Sequence, residues 1–179
     1  MNKKIKNIVF IAIMAALMCI LSPISFPLGI IPITLGTFTF CFVGALLSWN
    51  KSLSVVLIYI IIGIIGLPVF SSYRGGIGVV LGATGGYLVG YLPAVILISI
   101  LINKFKSKIW IYPISMIIGI LVCYTFGSIW FMIESGNNFV ETIAICVAPF
   151  ILPDIIKIIV ASIITYTLNN KTPIGKMLS

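Results

Sequence analysis

The sequence predicts an all-α polytopic membrane protein, a compact bundle of six transmembrane helices with N- and C-termini in the cytoplasm. Three observations predict it. Hydrophobic residues make up 61% of the chain and charged residues 8%, against about 45–50% apolar and about 25% charged in ordinary soluble domains. So few charges cannot clothe a surface in water, so the bilayer has to be the solvent. Apolar runs approaching spanning length recur between proline, glycine and lysine punctuation. The lysines, finally, gather in alternate connections between those runs.

The first span runs from about Asn7 to Leu21 and stops at Ser22-Pro23. Its basic front (Lys3, Lys4, Lys6) and apolar stretch resemble a secretion signal, but no small-x-small cleavage site follows, and it reads as a retained helix. A loop punctuated by Pro23, Pro27 and Pro32 leads to a second span, about Ile33 to Ser48. Asn50-Lys51 reads as a tight turn before a third span, about Ser52 to Leu67, ended by Pro68. The stretch from Phe70 to Gly82 is glycine-rich and carries Arg74. The fourth span runs from about Ala83 to Ile102, followed by a basic turn with Lys104, Lys106 and Lys108. The fifth runs from about Ile109 to Ile133, and a polar loop from Glu134 to Asn138 follows it. The sixth, about Val140 to Leu168, is broken by Pro149 and Pro153. No internal repeat or second domain is visible, so residues 1–179 read as one domain.

Charge placement checks the count. With the N-terminus inside, the inner segments hold Lys3, Lys4, Lys6, Lys51, Lys104, Lys106, Lys108, Lys171 and Lys176, nine of the eleven basic residues. The outer loops hold Arg74, Glu134 and Glu141. This is the positive-inside bias, and an odd number of spans spoils it. The net charge of +8 therefore reflects orientation in the membrane, not a nucleic-acid partner. The absence of histidine removes imidazole metal sites and histidine bases. Cys19, Cys41, Cys123 and Cys146 each lie in an apolar run without a CxxC spacing. They read as packed thiols, not as a disulfide or zinc set.

Three charges are left over from topology: Arg74, Asp154 and Lys157. A charge at mid-bilayer costs roughly 2.5–3.5 kcal/mol on insertion scales. Asp154 and Lys157 stand three apart, on one helix face, and can neutralise each other. A purely structural ion pair is the competing reading, but apolar residues often replace such a pair without loss of stability. A polar cavity for a solute explains the pair better. Pro153 points to the same place, because a mid-helix proline frees a carbonyl and irregular backbone at membrane depth is tolerated where it lines a cavity. Arg74 is a basic residue on the wrong side for topology. Its planar donor fork suits a carboxylate, and a lipid headgroup contact is the alternative. The glycines around it lack a Walker pattern and face away from cytoplasmic ATP.

Gly82, Gly86 and Gly90 give overlapping GxxxG spacings that favour close helix approach, and Thr84, Gly85, Gly86 and Tyr87 beside the Arg74 loop are candidates for a pocket wall. Ala12 and Ala16 form a small-xxx-small spacing in the first span. It serves either internal packing or docking onto another membrane protein.

Four segments carry a family resemblance. They are Pro23-Ile24-Ser25-Phe26-Pro27 with Pro32-Ile33-Thr34-Leu35; Gly66-Leu67-Pro68-Val69-Phe70; Gly82-Ala83-Thr84-Gly85-Gly86-Tyr87; and Pro149-Phe150 with Pro153-Asp154 and Lys157. In order and spacing they resemble BioY, the biotin-specific S component of energy-coupling-factor (ECF) transporters, an ABC-type system. The resemblance implies a non-enzymatic, multi-pass protein of the bacterial cytoplasmic (inner) membrane. It implies a substrate-binding domain that captures biotin from outside and delivers it inward with a transmembrane coupling (T) subunit and two cytoplasmic ATPase subunits. No cofactor is bound directly, and ATP is used by the partners. Ala12 and Ala16 resemble the docking surface for the coupling subunit. The sequence departs from the family twice, with Gly36 where glutamine is frequent and Ala83 where proline is frequent; both bear on affinity and selectivity.

Biotin's ureido ring offers two N–H donors and a carbonyl, its tail ends in a carboxylate, and the rest is apolar. Asp154 suits the N–H groups, Lys157 the carbonyl, Arg74 the carboxylate, and Tyr87, Thr84 and Gly85 the wall; the two ends can also be swapped. The proline-rich and glycine-rich loops would act as lids. The rival readings are an S component for another vitamin, a membrane enzyme using the Asp–Lys pair for proton transfer, and a non-transporting assembly subunit.

Overall fold

Burial in the computed structural model, which describes residues 3–26 and 31–172, sorts the helices by what surrounds them. Pro27 and Lys176, both used above, lie outside the described residues. Helix α1 (Lys3–Leu21) carries the three N-terminal lysines in its first turn and ends at Ser22-Pro23. Its outward residues, Ile5, Ile8, Val9, Ile13 and Ile20, are exposed and apolar, the composition a lipid-facing helix needs.

The next segment is not a plain loop. Strands β1 (Ser25–Phe26) and β2 (Ile33–Thr34) pair antiparallel, Ser25 with Thr34 and Phe26 with Ile33. This pairing takes Ile33 and Thr34 out of the second span, so α2 is only Gly36–Leu46. At 1.5 Å per residue it is about 16 Å long, roughly half the hydrocarbon thickness. Nine of its eleven residues are buried, which makes it a central post and not a lipid-facing wall.

The turn expected at Asn50-Lys51 falls earlier. Leu47 and Ser48 are extended, and α3 (Trp49–Ile64) already contains Asn50 and Lys51 in its first turn. Beyond α3, the glycine-rich stretch is ordered locally into a 3₁₀ turn at Ser71–Tyr73 and a short helix, α4 (Ile77–Leu81). Helix α5 (Gly85–Lys104) and helix α6 (Ile111–Ser135) then form the most extensive pairing of the bundle. Gly86 and Gly90 allow it: a Cβ on Gly86 would collide with Trp130, and one on Gly90 would lie 3.1 Å from the Cys123 backbone. Gly82 caps α4, so of the overlapping GxxxG spacings only Gly86–Gly90 lies within one helix.

The stretch read from the sequence as a sixth span is two helices. α7 (Phe139–Cys146) starts with a capping box between Asn138 and Glu141, which satisfies orphan N–H groups at the helix start. α8 (Ala148–Lys171) follows after a break at Val147, with Pro149 in its first turn and Pro153 inside the continuing helix. The break therefore precedes both prolines. A buried stripe of Asp154, Ile158, Ala161, Thr165 and Asn169 runs down α8, while isoleucines at 151, 155, 156, 159 and 163 face outward. Among the described residues, four stretches are long and apolar enough to cross a membrane: Lys4–Leu21, Gly85–Lys104, Ile111–Ser135 and Phe139–Lys171. The four cysteines are free, and three of them are buried.

Candidate functional site

A partly open cavity lies among these helices, mostly apolar with a few polar groups converging on it, the pattern of small-molecule sites. Its apolar lining comes from Ile31 and Pro32 before α2, Phe70 in the glycine-rich segment, Leu88 on α5 and Phe150 on α8. Its polar lining comes from Thr34, Thr37, Thr84, Lys157 and the phenols of Tyr59, Tyr87, Tyr91 and Tyr124. The first turn of α2 and the first two turns of α5 thus both border it.

One polar network holds three helices together at its floor. Lys157 Nζ donates to Asp154 Oδ1 at 2.8 Å, to Thr37 Oγ1 at 2.9 Å and to the Thr34 carbonyl at 2.7 Å. Those are all three donors an ammonium has. Thr37 Oγ1 donates in turn to Asp154 Oδ1 at 2.9 Å, and Tyr124 donates to Asp154 Oδ2 at 2.6 Å. Asp154 is 2% exposed, so this cage of donors replaces its hydration; a buried carboxylate is tolerated only when paired and hydrogen-bonded in this way. Tyr87 donates to the Cys146 carbonyl at 2.8 Å, which ties α5 to the break between α7 and α8. The protons of Tyr87 and Tyr124 are thereby fixed on protein acceptors, and their oxygens are left to accept.

At the mouth, the proline-rich and glycine-rich segments are bonded to each other. Ser25 Oγ lies 3.0 Å from Ser72 Oγ, and the Ser72 N–H donates to Ser25 Oγ and to the Pro23 carbonyl, both at 3.1 Å. Ser72 and Tyr73 are held at positive φ, 59° and 56°, a conformation that costs a non-glycine residue energy and is seen where surrounding contacts enforce it.

The family model for the BioY family matches residues 1–173. The chain belongs to the BioY family. It is 33% identical over 162 residues to the biotin transporter BioY2 of Lactococcus lactis subsp. cremoris, covering 90% of this chain and 89% of that protein. It is 32% identical over 169 residues to a probable biotin transporter BioY of Pyrococcus horikoshii, covering 94% and 99%. Its fold matches the crystal structure at 2.1 Å of the S-component for biotin from an ECF-type ABC transporter, with a TM-score of 0.91 and 26% identity over 99% of this chain and 98% of that one. These relatives are transporters and binding components, not enzymes.

Of the residues singled out in the sequence, Lys157, Thr84 and Tyr87 line the cavity. Asp154 stands behind the wall, its oxygens turned to Thr37, Tyr124 and Lys157. Arg74 is exposed beside the mouth, with Nε donating to the Ser71 carbonyl at 3.3 Å; Ser71 lines the cavity and Arg74 does not. Gly85 is a packing position, where a Cβ would collide with the Val80 carbonyl. Ala12 and Ala16 are exposed on α1, while Ala15 between them faces the bundle. The sequence reading missed Thr37, Tyr59, Tyr91 and Tyr124. Hydroxyls and phenols are common in apolar helices, and no spacing marks these as convergent.

Proposed function

We propose that this chain is the membrane-embedded S component that binds biotin for uptake by an ECF-type transporter. The observation that carries this reading is the caged Asp154–Lys157 pair at the floor of a largely apolar cavity, in a chain of the BioY family. The cavity matches biotin's chemistry. Tyr124 and Tyr87 oxygens face the ureido N–H groups, Lys157 and Thr37 edge the head-group end, and Thr84 flanks the tail. Asp154 acts by holding the protons of its neighbours away from the ligand. Arg74 meets the carboxylate at the mouth, and the Ser25–Ser72 contact is the closed position of two lids.

The same reading sets the chain across the bacterial cytoplasmic membrane six times, with α2 and α3 as the short second and third spans and α7 with α8 as the sixth. Both termini and the lysine-rich connections face the cytoplasm, and the mouth faces out. The exposed Ala12 and Ala16 face of α1 docks onto a transmembrane coupling subunit, and two ATPase subunits supply the energy.

The test is equilibrium binding of labelled biotin to the detergent-purified protein, with unlabelled biotin, thiamine and riboflavin as competitors. Displacement by biotin alone is expected; displacement by another vitamin overturns the substrate. In Arg74→Ala, biotin affinity should fall about two- to fivefold, the yield of an exposed ion pair, while the affinity for biotin methyl ester stays as it was. An equal loss for both ligands removes Arg74 from the carboxylate.

A further inference from the structure

Gly36 opens α2 directly below the cavity, and its φ is not in the left-handed region, where the glycines of the described residues are Gly66, Gly76 and Gly136. Backbone conformation therefore does not call for glycine here. Space does. A Cβ on residue 36 would lie 2.5 Å from the hydroxyl of Tyr91, 3.5 Å from its Cζ and 3.0 Å from Thr34 Oγ1. The Tyr91 hydroxyl thus occupies the volume that any side chain at 36 would take. Its ring cannot easily swing aside, because Tyr91 is 6% exposed and packs on the fully buried Phe40 of α2 with ring centroids 4.7 Å apart. Both Tyr91 and Thr34 line the cavity.

We infer that Gly36 and Tyr91 act as one unit, in which the missing side chain at 36 lets the Tyr91 hydroxyl form the cavity wall beside Thr34 and contact the ligand's head group. Gly36 is a positioning residue that acts through Tyr91. The identity of the ligand rests on the biotin reading above; the coupling between the two positions does not.

A double-mutant cycle tests it, with biotin affinity and ligand-free thermal unfolding measured on the purified full chain. Gly36→Ala should weaken biotin binding about tenfold or more, as overpacking of a closed site does. Tyr91→Phe should weaken it about three- to tenfold, the loss of one hydrogen bond. Removing the hydroxyl also removes the 2.5 Å collision and leaves the new methyl 3.5 Å from the ring and 3.0 Å from Thr34 Oγ1, a contact that a shift of a few tenths of an ångström relieves. The double variant should therefore bind within about threefold of Tyr91→Phe alone, a non-additivity expected of residues in direct contact. A double variant as weak as the two losses combined overturns the coupling, and a Tyr91→Phe protein that binds like the original overturns the ligand contact. If Gly36→Ala does not fold, recovery of folded protein in the double variant supports the pair, and no recovery overturns it. If the unaltered chain does not bind biotin, the proposed function fails, and the unfolding cycle still decides the pair.

Discussion

Helix α8 is tied to the same two neighbours, α2 and α6, at both of its ends, and the two ties are chemically different. At one end, Asp154 and Lys157 meet Thr37 of α2 and Tyr124 of α6. About 22 Å further along, at 1.5 Å per residue, Asn169 donates to the Ala45 carbonyl of α2 at 2.9 Å and to Tyr112 of α6 at 3.2 Å. Asn170 adds a bond to Tyr112, whose hydroxyl donates to the Lys106 carbonyl at 3.1 Å. The second tie fastens three helices with amides and phenols alone. A charged pair is therefore not what fastening α8 requires. The extra desolvation cost of Asp154 and Lys157 coincides with the one tie that borders the cavity, and this favours a ligand role over a purely structural one.

The comparison can be broken at its charged end first. Lys157→Met leaves Asp154 buried without its counter-charge, a change that costs about 3–5 kcal/mol. Thermal unfolding in detergent should show a severe loss, and Asp154→Asn in the same chain should recover most of it without recovering biotin binding. Recovery of both would return the pair to a structural role.

A smaller effect is expected from Tyr124→Phe. It deletes a 2.6 Å hydrogen bond to the carboxylate, the kind worth about 1.5–3 kcal/mol. It also removes an oxygen from the cavity wall, and losing that neutral hydrogen bond should weaken biotin binding about three- to tenfold. An affinity unchanged alongside a stability loss would place Tyr124 with the fasteners.

The smallest change is predicted at the neutral tie. Asn169→Ala gives up two neutral hydrogen bonds, about 0.5–1.5 kcal/mol each. Its Oδ1 has no partner among the described residues, so nothing is lost there. The melting temperature should drop modestly while biotin affinity stays unchanged. A matching loss of affinity would mean that the two ends of α8 are coupled.

Much of this was legible in the sequence because membrane solvation leaves strong marks. Apolar runs must be long and charges must be few. Asp154 and Lys157 stood out for the same reason, since an unexplained charge in an apolar run is costly wherever it sits. The boundaries of the second and third spans did not, because residues 33–34 pair with 25–26 and Leu47-Ser48 turns the chain, neither of which leaves a distinctive local pattern. The prolines predict the break before α8, yet it falls at Val147, since Pro149 is acceptable in a helix's first turn.

By itself, then, the sequence determined the solvent of this protein, its helical class and the residues whose charge demands an explanation, since each follows from composition and order along the chain. Only the tertiary structure decided that Asp154 stands behind the wall and not on it, that Tyr124 and Thr37 share its cage, and that Tyr91 fills the place left open at Gly36. Those facts depend on which side chains meet across residues dozens of positions apart. Local periodicity sets the face a residue presents, but not the partner it finds there.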